Sequence, residues 1–193
     1  MARIPLPGRD QLSPEQLAVH DRVVSGPRGT IIGPLRAAIH NPELADRWSA
    51  LGEVLRFRTC LPKKLNELAI ILTARRFNSQ IEWWVHAEAA AKAGLAAAVI
   101  EAIRDGRPPV LAPDEAEVHA FTRALHEHGQ VPKPIYDAIV ARWGAVGVVD
   151  LTAVIGYYTM VSYTLNAHEI PLPDGVAPPL AGETLTPLPE AAA

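Results

Sequence analysis

The segment LPKKLNELAIILTARRF, residues 61–77, constrains the fold more than any other part of the chain. A helix is expected to begin after Pro62, and residues 65–74 are apolar around nearly its whole circumference, with Asn66, Glu67 and Thr73 as the exceptions. A helix without a polar face has to be covered on several sides by other elements. The segment therefore predicts a central helix packed inside a larger assembly.

The rest of the sequence supplies further helical patterns and no convincing strand. Apolar residues recur at three- and four-residue steps, and glycine or proline interrupts the periodic stretches. In addition to the central helix, the patterns predict helices at about residues 13–24, 34–39, 79–93, 113–128, 134–143 and 146–166, one that begins at residue 43, and a short one after residue 95. The fold class expected from these patterns is all-α.

The two ends of the chain have a different composition. Residues 1–14 and 169–193 are rich in proline, which prevents helix formation and favours extended arms that either wander or lie across a neighbouring surface. A length of 193 residues fits one domain. We therefore expect a single domain over residues 1–193, with a core at about residues 43–168 and irregular arms at both ends.

Composition and charge exclude several classes of protein. The net charge is −3 and no run of Lys or Arg exceeds two, so a nucleic-acid partner is not expected. The first 16 residues lack the apolar run of a signal peptide, and residues 146–165 contain a charge and several hydroxyl groups unlike a membrane span. The single cysteine, Cys60, excludes an intrachain disulfide and a two-thiol redox motif. We expect a cytoplasmic protein without a membrane partner.

Two ionisable residues lie between tryptophans in the stretch FNSQIEWWVHAEAAAKAGL, residues 77–95. Glu82 and His86 are four apart, so they share one face of a helix and can share a proton. Glu67 is a third acid in an apolar context, where an ionised carboxylate is costly unless it is paired. Antiparallel packing of the two consecutive helices would bring it toward the pair. The alternative is an ordinary surface pair on a helix.

A metal site is the rival interpretation of the histidines. His119, His126 and His128 share one predicted helix with several glutamates, but the H-E-x-x-H arrangement is absent. A solvated polar helix face explains these residues more simply. We therefore expect no metal site there.

The residues LNELAIILTARRFNSQIEWWVHAEAAAKAGL, 65–95, resemble the signature region of the carboxymuconolactone decarboxylase family. That family belongs to an all-α superfamily with the alkylhydroperoxidase D proteins, whose peroxidase branch has the pattern E-x11-C-x2-C-x3-H. On this chain the pattern falls on Glu67, Ser79, Glu82 and His86 with no gap. Both cysteine positions lack a thiol, so thiol peroxidase chemistry is not expected. The remaining EWWVH is similar to the E-W-x-x-H form of decarboxylase-like members.

The resemblance implies an alkylhydroperoxidase D-like helical bundle that assembles into trimers or hexamers. It also implies a small-molecule substrate similar to 4-carboxymuconolactone, an unsaturated lactone that carries carboxylates. Such a lactone is its own electron sink, so a decarboxylase acting on it requires no cofactor. Two alternatives stay open: a non-catalytic oligomeric assembly module, and a lactone hydrolase or isomerase.

Roles for individual residues follow from this expected reaction. His86 is the leading proton donor, with Glu82 holding its tautomer and raising its pKa, while Glu67 could instead stay protonated by desolvation and donate. Arg58 alone interrupts the apolar stripe of the helix that begins at residue 43, which makes it the candidate for binding a substrate carboxylate. Tyr158 is a candidate for the pocket lining, with core packing as the alternative.

Overall fold

A computed structural model describes residues 2–27, 29–182 and 184–192. Every regular element in these ranges is helical. A 3-10 turn at Arg9–Gln11 precedes the α-helices, which are α1 (Pro14–Ser25), α2 (Leu35–Ala38), α3 (Pro42–Phe57), α4 (Lys63–Arg76), α5 (Gln80–Lys92), α6 (Ala97–Arg104), α7 (Pro113–His128) and α8 (Lys133–Ala167). The predicted all-α class with irregular terminal arms is confirmed.

Helix α4 forms the centre of the fold, as its uniformly apolar sequence predicts. Its side chains from Leu65 to Arg75 are all buried, and the helix packs against α5, α6, α7 and α8. Each fully buried leucine or isoleucine contributes about 1.5–3 kcal/mol relative to an exposed one. Two polar side chains of this helix form hydrogen bonds to backbone groups: Thr73 donates to the carbonyl of Ala69, and Asn66 donates to the carbonyl of Leu55.

A tight turn reverses the chain between α4 and α5. Asn78 has a φ of 49°, a left-handed conformation that asparagine tolerates better than most residues. The amide of Ser79 donates to the carbonyl of Ala74 at 2.8 Å and closes the turn. The reversal makes α4 and α5 antiparallel neighbours, and Glu67 on α4 then contacts His86 on α5.

Helix α3 buries a different face from the one that its leucines predict. Leu44 and Leu51 are each 48% exposed, whereas Ala45, Trp48 and Leu55 are buried. The buried positions recur at steps of three, four and three through Gly52, so small residues, and not the first two leucines, face the core. The predicted stripe was therefore right at Trp48 and Leu55 and wrong at Leu44 and Leu51.

Helix α8 consists of two helical segments joined at a break. Gly144 has a φ of 68° and a ψ of −170°, which interrupts the helix between the two segments that the sequence predicts. By length and composition α8 is one helix that could cross a membrane, yet its buried residues pack against α3, α4, α5 and α7. Burial in the core accounts for part of its apolar character, since 33% of its most apolar stretch is buried.

The arms lie along the body of the same chain in the part that the structure describes. The amide of Arg3 donates to the carbonyl of His168, which joins the N-terminal arm to the end of α8. The C-terminal arm is attached to the α4–α5 turn, where Asn78 donates to the carbonyl of Gly182 at 2.8 Å and Gln80 makes two hydrogen bonds with Leu180. The start of α5 is thus held from outside the bundle.

Candidate active site

Glu67, Glu82 and His86 converge in the interior, between α4 and α5. Nδ1 of His86 lies 2.6 Å from Oε2 of Glu67, and Nε2 lies 2.9 Å from Oε1 of Glu82. All three side chains are buried. The imidazole is therefore held at both nitrogens by carboxylates, an arrangement in which both nitrogens donate only when the ring is protonated.

Lys63 completes this group and was not found from the sequence. Its Nζ lies 2.7 Å from Oε1 of Glu67, one helical turn further along α4, while the lysine side chain remains about half exposed. The spacing of four between Lys63 and Glu67 is the signal that could have revealed the pair. A row of ion pairs therefore connects four side chains, and we call it the ionic cluster: Lys63, Glu67, His86 and Glu82.

The pKa values of Glu67 and His86 support a charged histidine beside an ionised Glu67. Burial disfavours the charge of Glu67, but hydrogen bonds and charge interactions with His86 and Lys63 outweigh it and lower the pKa to about 2. Burial likewise opposes the charge of His86, and the charge of Glu82 together with the hydrogen bond to Glu67 raises its pKa above the ordinary value. The predicted role of Glu67 as a protonated donor is therefore not supported, because its partners keep it ionised.

A small cavity opens beside the cluster. It has a volume of about 40 Å³, several times the space that one water molecule needs. Glu82 and His86 line it, whereas Glu67 lies behind them and positions the ring. The other lining residues come from the loop before α2, from α3, α5 and α8: Ile32, Gly33, Pro34, Leu35, Arg56, Ile81, Val85, Tyr157, Tyr158 and Val161.

Tyr158 lies in this cavity and also packs against the histidine. Its ring centroid is 5.0 Å from that of His86, with the two planes at 77°. Burial and the nearby charge of Glu82 raise its pKa well above the ordinary value, so the phenol remains neutral. Both sequence interpretations of Tyr158, pocket lining and core packing, describe its position.

The structure places Arg58 away from the cavity and puts Arg56 there instead. Helix α3 ends at Phe57, so Arg58 leaves the helical face, and its side chain is 60% exposed and lies 3.3 Å from a carboxylate oxygen of Glu53. Arg56 follows the buried Gly52 by one helical turn and lines the cavity. Among the described residues, no carboxylate forms an ion pair with Arg56. The predicted position of Arg58 at the site is therefore wrong, and the arginine at the cavity is Arg56.

The predicted solvated face of α7 was also wrong for two of its histidines. His119 is buried, and burial lowers its pKa to about 4. His126 is partly buried with its Nε2 2.9 Å from the hydroxyl of Thr73, and burial lowers its pKa to about 4 as well. No group of three or more His, Cys, Asp or Glu side chains in the described ranges is arranged to hold a metal ion.

The two positions that match cysteines in the peroxidase pattern lie at the start of α5. Ser79 is fully buried and its hydroxyl makes no hydrogen bond, whereas Glu82 reaches the cavity. Cys60 lies outside this region, is exposed, and has its pKa raised by partial burial and by Asp150. The cavity lining therefore contains a carboxylate and no thiol.

Comparisons with known proteins support the fold and leave the activity open. No protein-family model matches the chain, and no curated protein matches it in sequence. The structure is similar to an uncharacterized peroxidase-related protein from Ralstonia eutropha JMP134, described as an alkylhydroperoxidase AhpD core, with a TM-score of 0.71 and 13% identity over 90% of this chain and 93% of that one.

Two further solved structures show the same similarity. A peroxidase-related protein from Silicibacter sp. TM1040 has a TM-score of 0.71 and 15% identity, covering 90% of this chain and 92% of that one. The debrominase Bmp8, solved as a cysteine-to-alanine variant in complex with 2,3,4-tribromopyrrole, has a TM-score of 0.66 and 13% identity with the same coverage. At these identities the similarity shows that the chain has the alkylhydroperoxidase D-like fold.

Proposed function

We propose that this protein is a cofactor-independent acid/base enzyme that decarboxylates a carboxylated, unsaturated small molecule such as a lactone. One observation carries the proposal: a histidine is held between two carboxylates, and it lines a cavity together with one of them and with an arginine that has no carboxylate partner in the described chain. Perturbed titratable groups that converge in a cavity are typical of catalytic sites.

Arg56 supplies the group that would bind a substrate carboxylate. An arginine forms two parallel hydrogen bonds to a carboxylate, and such charge-assisted bonds are among the stronger ones available to a protein. The ionic cluster contains two basic and two acidic side chains, so it has no net charge that would attract an entering anion. Arg56 would therefore decide where the carboxylate lies, with the substrate's reacting carbon toward Glu82 and His86.

The reaction requires one bond to break and one proton to arrive. The bond between the carboxylate carbon and the ring carbon breaks, carbon dioxide leaves, and the electron pair moves through the double bond into the lactone carbonyl. The proton on Nε2 of His86, which points at Glu82, then reaches the carbon directly or through Glu82. Water returns a proton to the pair. General acid catalysis of this kind contributes about 10²–10⁴-fold.

Thiol chemistry fits this chain poorly although two similar structures are described as peroxidase-related. Peroxide or disulfide reduction needs an attacking thiolate and a resolving thiol. The cavity holds Glu82 where the second thiol of that pattern would lie, and Cys60 is exposed elsewhere. The carboxymuconolactone decarboxylase resemblance therefore remains the better guide to the chemistry.

We also propose that the protein works as a cytoplasmic homo-oligomer, a trimer or hexamer. Large apolar side chains that are at least 43% exposed occur on α3 and α8, and contacts between copies would bury them: Leu44, Leu51, Phe57, Tyr136, Val146, Val149 and Tyr163. Sedimentation or light scattering of the purified protein would measure the assembly.

The test of the proposed activity is carbon dioxide release from a panel of carboxylated unsaturated lactones, measured with the full chain and two variants. Glu82→Gln should lower the rate of release at least about 10²-fold, whereas His128→Ala, which changes an exposed histidine on α7, should leave it unchanged. Conversion of the lactone without carbon dioxide would indicate a hydrolase or isomerase instead. No conversion of any lactone, combined with a broken oligomer in His86→Gln, would indicate an assembly module.

A further inference from the structure

A second and much larger recess lies next to the small cavity. Its volume is about 530 Å³, within the range of small-molecule binding sites. One wall is the loop before α2, another is α5, and the third is the start of the C-terminal arm; the lining residues are Ile31, Ile32, Gly33, Arg36, Ile81, Trp84, Ile170, Pro171, Leu172, Pro173 and Asp174. We call it the Trp84 recess.

The Trp84 recess and the small cavity adjoin each other. Ile32, Gly33 and Ile81 line both spaces, so these three residues form the boundary between them. Helix α5 supplies side chains to both spaces, because residues at different positions around a helix point in different directions. Glu82 and His86 line the cavity, whereas Trp84 lines the recess.

The walls of the recess are suited to an uncharged apolar group. Two large apolar side chains at its edge are unusually accessible, with Ile32 44% exposed and Trp84 39% exposed. The charged lining residues in the described chain are Arg36 and Asp174, one of each sign, so the walls have no net charge. An aryl or alkyl group would bury these surfaces without leaving an unpaired charge.

From this adjacency we infer that the substrate carries an apolar tail, aryl or alkyl, that occupies the Trp84 recess while its carboxylate head binds Arg56 in the cavity beyond the shared residues. The inference rests on the proposed function for the position of the head. It predicts a substrate larger than a bare lactone, because the volume of the cavity is less than a tenth of the volume of the recess. A bare lactone would leave the recess unfilled.

The arm makes the recess a concave site for a small molecule. Ile170 is buried, and the four residues that follow it line the recess together with Trp84 and Ile32. A second copy of the chain would more readily cover a flat face than a recess lined by a loop, a helix and an arm beside the small cavity. A tail attached to the reacting group fits both spaces at once.

The experiment measures the dissociation constants of benzoate, 3-phenylpropionate, 5-phenylpentanoate and 7-phenylheptanoate by titration calorimetry with the full chain. The dissociation constant should fall about twofold to fourfold with each methylene that becomes buried, until the phenyl ring reaches Trp84. Trp84→Ala and Ile32→Asn should each flatten this dependence on length. Val110→Ala, which changes an exposed valine between α6 and α7, should preserve it.

Each alternative result has a defined meaning. Affinity that is independent of length, or a length dependence that survives both recess variants, would overturn the inference. If Trp84→Ala changes the oligomer mass and leaves the length dependence intact, a second copy covers the recess and the inference fails. Benzoate binding that is lost in Arg56→Gln shows that the head site exists even if the tail inference fails. Binding of every acid unaffected by Arg56→Gln would instead contradict the head position of the proposed function.

Discussion

His86 is bound at both ring nitrogens, and this single fact determines what each neighbouring residue can do. Glu67 is fully buried and remains ionised with a pKa of about 2, so it orients the ring and does not donate. Glu82 contacts the opposite nitrogen and lines the cavity, so that nitrogen faces the cavity side of the ring. In the proposed reaction Glu82 would therefore lie nearest to the reacting carbon.

Glu82→Gln tests this division of roles. Removing the carboxylate charge takes away the largest influence that raises the His86 pKa, so that pKa should fall. An enzyme that needs protonated His86 loses rate as pH rises through this pKa. We therefore expect a rate at least about 10²-fold lower and a loss of the remaining activity that begins at lower pH. A pH–rate profile measures both, and an unshifted profile would contradict the pairing.

The two neighbouring arginines offer a matched comparison. Arg56→Gln should raise KM roughly tenfold to a hundredfold, since a charge-assisted hydrogen bond contributes about 1.5–3 kcal/mol. Arg58→Gln should leave KM unchanged because Arg58 is exposed and lies beside Glu53. Steady-state kinetics of the two variants measure the difference. Equal effects on KM would count against the position assigned to the substrate carboxylate.

At the scale of elements, the position of the site residues depends on where α5 begins and on which face of α3 is buried. The sequence predicts the α4–α5 pair well, because a uniformly apolar helix has to be central and a spacing of four determines a shared face. It does not predict Arg56, since the end of α3 at Phe57 and the burial of Ala45 and Gly52 depend on packing against other helices. Lys63 was missed although its distance from Glu67 is a helical spacing.

The turn before α5 can be tested with two substitutions at one position. Asn78→Gly keeps the left-handed backbone conformation and loses the hydrogen bond to Gly182 in the arm. Asn78→Ala loses that bond and also strains the backbone, so it should be less stable than the glycine variant by about 1 kcal/mol. Urea denaturation measures both. If the two variants are equally stable, the backbone conformation of the turn contributes nothing.

At the scale of the whole molecule, buried titratable groups make stability depend on pH in both directions. His119 and His126 have pKa values of about 4 in the fold, so stability is lost as pH falls from about 6.5 toward 4 and the unfolded chain binds their protons. Glu67 adds a loss as pH falls from about 4.5 toward 2. His86, with a raised pKa, stabilises the fold below about 6.5 and loses this contribution as pH rises through its folded pKa.

Urea midpoints measured from pH 4 to pH 9 should therefore be highest near neutral pH. His119→Leu should reduce the loss on the acid side, because it removes a buried group that binds a proton only on unfolding. His128→Leu is the matched control on the same helix, since His128 is exposed. An acid-side loss that is the same in both variants would show that His119 does not contribute to it.

The balanced charges of Lys63, Glu67, His86 and Glu82 also affect how a ligand arrives. Fields from opposite charges a few ångströms apart cancel within a short distance, so the cluster exerts little attraction on an anion in solution. Arg56 is the cation of the cavity lining that lies outside the cluster. Encounter rates should then depend weakly on ionic strength. We expect kcat/KM to fall less than about threefold between 20 and 300 mM NaCl and to become flat in Arg56→Gln. The protein would capture its substrate by contact and fit rather than by drawing it in from a distance.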